Sequence, residues 1–268
     1  MFCNFYFVFY SRSVQLRTFR NLLLVLLLFT FIIANERIGD WNCYTSTLNI
    51  RDVTIFNGTV YCATDGGILK FDLQTHSFTP FTKLNGLNST NLSVITAGRD
   101  QLLWVGGKSP GFLQRFNPSE EMIADEFPYK FSEISHIVSG DSIAYAVYRE
   151  NQDWGIAEYH FEDGSFKHHD LYPVWNLAEN GINDIKIMDE SVFVGTHSGI
   201  YHGFTGANPN SWILFSEGII GNVSDIEFSG DSLWYIEDSN LYVMSLESQI
   251  ILEMGQFFFQ MEIVFHHA

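Results

Sequence analysis

Three aspartates, Asp52, Asp184 and Asp225, occupy the same place in three similar segments: Ile50-Arg-Asp52-Val53, Ile182-Asn-Asp184-Ile185 and Val223-Ser-Asp225-Ile226. Carboxylates gathered around one axis could hold a hard cation such as calcium, which takes about six or more oxygens. Two further segments of the same kind carry Val94 and His136 at that place, so the ring of oxygens is incomplete. The competing reading is that each aspartate satisfies backbone donors of a neighbouring unit. Calcium at this register is the one candidate cofactor; none is otherwise expected, and no cysteine spacing in the chain resembles a zinc site.

Asp65, Trp154 and His197 complete the candidate ligand contacts. Asp65 and His197 sit at matching places in Ala63-Thr-Asp-Gly-Gly67 and Gly195-Thr-His-Ser-Gly199. Trp154 follows the polar stretch Glu150-Asn-Gln-Asp153, which reads as a loop, and loops on a rigid scaffold commonly carry binding residues. His168 and His169 are neighbours, so on a strand they face opposite sides and do not readily chelate one metal.

Nucleophile motifs do not survive comparison within the chain. Gly230-Asp231-Ser232-Leu233 resembles the signature of one hydrolase class, but Asn57-Gly58-Thr59, Gly140-Asp141-Ser142 and Asp189-Glu190-Ser191 fall at the same register. These are dipeptides that supply positive φ in tight hairpins. Gly195 to Gly199 lacks a central serine and a following helix, so it is no nucleophile elbow. No catalytic residue is assigned.

The elements that position these residues repeat. First strands begin at Ile50, Leu92, Ile134, Ile182 and Val223, and second strands at Val60, Leu103, Ile143, Val192 and Leu233. A third strand follows a turn, and an aromatic-rich fourth closes each unit, as at Ser77 to Thr82 and Trp212 to Phe215. Four strands in about 40 to 45 residues is the β-propeller pattern, and apolar runs of alternating period exclude a helical solenoid. The chain is therefore expected to be all-β: about five four-stranded antiparallel blades over residues 35–254, in an incomplete ring. Trp41 to Ser46 reads as an outer strand without inner strands of its own, of the kind a propeller lends to its last blade. Residues 255–268 read as a tail or the truncated start of another blade.

Residues 1–34 hold Arg12, Arg17 and Arg20, no acid, and the apolar run Leu22 to Ala34. That run suits a signal peptide cleaved near Ala34 and falls short of the roughly 20 residues that span a bilayer; an uncleaved anchor is the rival. Formal net charge is -17, and the remainder of the chain is more acidic still by the three arginines. Such a surface repels phosphate backbones, which excludes nucleic acid as a partner. Cys43 and Cys62 are expected as buried thiols. Asn57, Asn88, Asn91 and Asn222 begin glycosylation sequons, which chance also yields in a chain of this composition.

Ile38-Gly-Asp-Trp41, Val60-Tyr-Cys-Ala-Thr-Asp-Gly-Gly-Ile68, Phe81-Thr-Lys-Leu-Asn-Gly-Leu87 and Leu92-Ser-Val-Ile95 resemble the opening of the N-terminal propeller of PorZ-like proteins, accessories of the bacterial type IX secretion system. Val194-Gly-Thr-His-Ser-Gly-Ile-Tyr201 also resembles the propeller repeat of two-component regulators, found in periplasmic sensor halves of hybrid histidine kinases. The resemblance implies a non-enzymatic protein of the periplasm or outer cell surface. Its partners would be other secretion-system or envelope proteins, with glycan or lipopolysaccharide as further candidates, and it would meet the membrane only through the signal segment. A periplasmic ligand sensor and a propeller-fold lyase or glycosidase are the rival functions. The last would need a carboxylate pair from among Asp65, Asp153, Glu237 and Asp238.

Overall fold

The computed structural model describes residues 45–174, 177, 181–215, 218–248 and 250–256. The expected signal segment, Cys43, most of the Trp41 to Ser46 strand and the tail from residue 257 lie outside them. Thr45 and Ser46 are described as coil beside the first blade, where the Thr45 hydroxyl donates to the Gly66 carbonyl at 2.6 Å.

The described residues form strands and two 3-10 turns and hold no α-helix; no helix among them is long and apolar enough to cross a membrane. The first sheet runs β1 (Ile50–Phe56), β2 (Thr59–Thr64), β3 (Gly67–Asp72), β4 (Ser77–Phe81) in spatial order, each antiparallel to the next. Asn57 and Gly58, both at positive φ (48° and 72°), make the hairpin turn that the dipeptide predicts. Gly67 must be glycine for a different reason. A Cβ there would lie 2.1 Å from the Phe81 carbonyl oxygen, because the outer strand crosses directly over the turn.

The second and third blades run together as one six-stranded sheet: β5 (Leu92–Ala97), β6 (Leu103–Asn117), β7 (Met122–Ser139), β8 (Ile143–Glu150), β9 (Asp153–Glu162) and β10 (Ser165–Pro173). The repeat of about five blades stands, with this pair joined through its long strands. Despite Pro128, β7 continues from the outer strand of one blade into the inner strand of the next. Pairs Lys108↔Glu133 and Gly111↔Phe131 carry main-chain bonding across the junction. The remaining sheets are β11 (Ile182–Met188), β12 (Ser191–Thr196), β13 (Gly199–Phe204), β14 (Ile213–Leu214), and β15 (Val223–Ser229), β16 (Ser232–Glu237), β17 (Asn240–Ser245), β18 (Ile251–Gln256).

Alternation along each second strand sends neighbouring side chains to opposite faces, and each face meets a different blade. Tyr61 and Ala63 pack with Leu103, Val105 and Phe116 of the second blade; Trp104 faces the other way, toward Tyr148, Tyr159 and Phe166 of the third. Tyr145, Val147 and Ile156 meet Ile185, Val194 and Trp212 of the fourth, and Phe193 and Ile200 meet Ile226, Leu233 and Tyr235 of the fifth. Four clusters join five blades in sequence, and none joins the fifth to the first among the described residues, which therefore form an open ring. The end faces keep apolar side chains in solvent: Val53 and Ile55 on the first blade are 50% and 68% exposed, Leu252 on the fifth 58%.

Candidate functional site

The inner strands β1, β5, β7 and β11 line a cavity of about 380 Å³ whose walls include Arg51, Asp52, Ser93, His136, Asp184 and Lys186. One local irregularity builds it. Every first strand carries a register shift at the same place, between Ile50 and Asp52, Leu92 and Val94, Ile134 and His136, Ile182 and Asp184, and Val223 and Asp225. The skipped residue in each case, Arg51, Ser93, Ser135, Asn183 or Ser224, is the extra residue of a β-bulge, which re-aims its side chain.

Three of these bulged residues bond to the following blade. Arg51 donates to the Leu92 carbonyl at 2.6 Å, Ser93 to that of Ile134 at 2.5 Å, and Asn183 to that of Val223 at 2.8 Å. The residue after the bulge completes the joint where it is aspartate. Asp52 accepts from its neighbour Val53 N–H and, across the joint, from Ile95 N–H, both at 2.8 Å. Asp184 repeats the arrangement with Ile185 at 2.8 Å and Ile226 at 3.1 Å. Each carboxylate thus uses one oxygen within its own blade and the other on the next.

Burial shapes the electrostatics of this cavity. It raises the Asp184 carboxyl to about 7, against the pull of Lys186 at 3.7 Å, with a hydrogen bond to the Asp225 carboxyl adding to the rise. Asp52 is raised by burial too, opposed by its amide bonds to Ile95 and Val53. His136, at the aspartate register of the third blade, is pushed down to about 4 by burial, opposed by its bond to the Asn183 backbone. Lys186 is pulled down by burial but carried up on balance by Asp184 and Glu227, the latter 3.1 Å away on the fifth blade.

The other candidate residues lie elsewhere. Asp65 and His197 are exposed in the β2–β3 and β12–β13 turns, at equivalent places on two blades, with Asn49 reaching Asp65 at 3.4 Å. Trp154 is not in a loop: it is the second residue of β9, paired with Arg149, whose guanidinium lies 5.0 Å from the indole. Its ring packs with the apolar cluster between the third and fourth blades, while the turn that the polar neighbours suggest is confined to Asn151 and Gln152. Cys62 is a free, buried thiol raised by burial.

Sequence reasoning missed the bulged residues, although aligning the repeats places Arg51, Ser93, Ser135, Asn183 and Ser224 in one column of hydrogen-bonding side chains. It also missed Arg115. This guanidinium is fully buried, ion-paired with Asp100 and, at 3.6 Å, with Asp125, and it lies 5.2 Å from the Trp104 ring.

Solved structures of low sequence identity superimpose on this arrangement of sheets. PorZ of Porphyromonas gingivalis, described as an essential bacterial surface component of the type-IX secretion system, superimposes with a TM-score of 0.61 at 14% identity, over 80% of this chain and 29% of that one. The extracellular domain of BT4673 from B. thetaiotaomicron gives 0.60 at 15%, over 82% and 31%. The Dos1 propeller gives 0.57 at 11%, over 78% and 60%. The fold is an open β-propeller. No family model matches the sequence, and no curated protein matches it. The chain spans about a third of the PorZ and BT4673 structures, and at these identities the likeness concerns the propeller alone. In propeller terms the bulged strands line the axial channel, the aspartates lock adjacent blades, and Asp65 and His197 stand on the rim.

Proposed function

We propose that this chain is an exported, non-enzymatic binding module, working as a PorZ-like component of type IX protein secretion at the cell surface. One observation carries the non-enzymatic part. The two carboxylates that line the inner cavity and lock its joints, Asp52 and Asp184, each accept two backbone N–H bonds, so the acidic groups a hydrolase would draw on there are occupied in holding blades together. What is left for recognition is the rim, where turns from several blades present Asp65 and His197 on a rigid frame, the arrangement binding proteins favour. The likeness to PorZ and the PorZ-like wording of residues 38 to 95 support the cellular role. In the bacterium that encodes it, deletion of the gene should trap type IX cargo inside the envelope, and protease added to intact cells should degrade the chain. Normal cargo release after deletion refutes the secretion role. The nearly equal likeness to the BT4673 extracellular domain favours a second reading, a ligand-sensing propeller; normal secretion with loss of a transcriptional response to a glycan would select it.

A further inference from the structure

Glu158 and His160 are two apart on β9 and so share a face of the third blade. His169, on the adjacent strand β10, reaches the same face through a second bulge. His168 pairs with Tyr159 and Asp170 with Glu158, which leaves His169 as the extra residue. His168 itself lies on the opposite face, edge-on to the Tyr159 ring. The His160 Nε2 is 2.5 Å from Glu158 Oε1, and the His169 ring stacks on that of His160, centroids 3.9 Å apart and planes within 8°. One ligating atom from each of the three falls within 4.8 Å of the others.

Glu158 is 1% exposed, and its buried Oε2 makes no well-formed hydrogen bond, the Tyr172 hydroxyl being the donor beside this carboxylate. A buried carboxylate compensated only by one imidazole and one loosely placed phenol is costly, and it calls for a stronger partner. His160 compensates only the other oxygen. His169 is exposed, free to turn on its χ angles, and already in contact with His160.

We propose that Glu158, His160 and His169 bind a divalent cation of the zinc class. Two imidazole nitrogens and one carboxylate oxygen are a donor set such ions favour, whereas calcium and magnesium take oxygen alone. The cation replaces the direct bond between His160 and Glu158 and draws in the exposed His169 by a side-chain rotation. Its fourth position faces solvent beside His169, open to water or to a partner's side chain. The ion pins β9 to β10 where the bulge interrupts their ladder, at the outer edge of the blade and away from the channel.

Zinc titration of the full chain against a chromophoric chelator tests the proposal. His266→Gln and His267→Gln are present in every sample, so that the terminal pair does not compete. One equivalent is expected to bind. His169→Ala and Glu158→Gln should each weaken binding about ten-fold or more, since even the residues that merely support a metal ligand are worth that much. His168→Ala should bind as the parent does, and calcium should not displace the zinc. His169 is exposed, so its variant keeps the fold, which circular dichroism of the same samples verifies. No bound equivalent, unchanged binding in His169→Ala, an equal loss in His168→Ala, or displacement by calcium overturns the site.

Discussion

Between the first and second blades, and again between the fourth and fifth, an aspartate accepts an amide N–H from the neighbour while the bulged residue before it donates to a neighbouring carbonyl. Between the second and third, Val94 holds the aspartate place; the Ser93 hydroxyl crosses at the bulge, and at the turns Arg99 donates to the Asp141 carbonyl at 2.6 Å. Other forces take over there. Strand β7 bonds both blades through its main chain, and Trp104 stacks on Phe127 with centroids 5.5 Å apart and meets Tyr159 and Phe166 in tilted contacts. Arg115 with Asp100 sits under the same ring. A repeat therefore conserves the geometry of its joints while changing what holds them. Directional bonds set the spacing where the blades are separate sheets, and aromatic packing suffices where the backbone already enforces it.

The contrast breaks most sharply at the second and third blades. Arg115→Ala leaves Asp100 buried without its counter-charge and should cost about 3–5 kcal/mol, read as a lowered urea midpoint. A loss under about 1 kcal/mol would mean that the aromatic stack alone carries the joint.

At the aspartate joints a smaller effect is expected. Asp52→Ala and Asp184→Ala should each cost about 1.5–3 kcal/mol, the range for hydrogen bonds to a charged group. The two joints bond different backbone amides and share only the charge of Lys186, so the double variant should show close to the sum of the two losses. Strong non-additivity in denaturant melts would mean that the joints communicate around the ring.

The smallest effect is one of pH, and it distinguishes the aspartate joint from its histidine counterpart. Burial raises Asp184 from 3.8 to about 7, so the folded protein holds that proton more tightly than the unfolded chain. Its contribution is complete below about pH 4 and is lost as pH rises to 7. His136, lowered by burial from 6.5 to about 4, acts in the opposite sense: its contribution is complete above 6.5 and is lost as pH falls toward 4. Thermal midpoints at pH 4.5 and 7 should therefore rise with pH in Asp184→Asn and fall with pH in His136→Gln. Slopes of the same sign in both variants would remove the distinction.

Much of the fold was legible in advance because it follows from local chemistry. Asn57-Gly58 dictates a hairpin, and short apolar runs such as Val60 to Thr64 dictate strands buried on both faces. Their recurrence at five places leaves few architectures that bury both faces. The candidate site was legible only as a register. Asp52, Asp184 and Asp225 align by eye, but whether a carboxylate meets a cation or an amide depends on where the next blade's backbone lies. Trp154 was misplaced because polar neighbours suggested a loop, when the turn is confined to Asn151 and Gln152 and the ring packs against the fourth blade.

From its residues alone the chain determined strand period, turn positions, blade repeat and acidic character, since each depends on contacts a few residues apart. Only the tertiary structure decided that bulged residues reach across joints, that the second and third blades fuse, that Arg115 is buried, and that Glu158, His160 and His169 converge. Those outcomes turn on register between strands, where one inserted residue re-aims a side chain and nothing in the local pattern announces it.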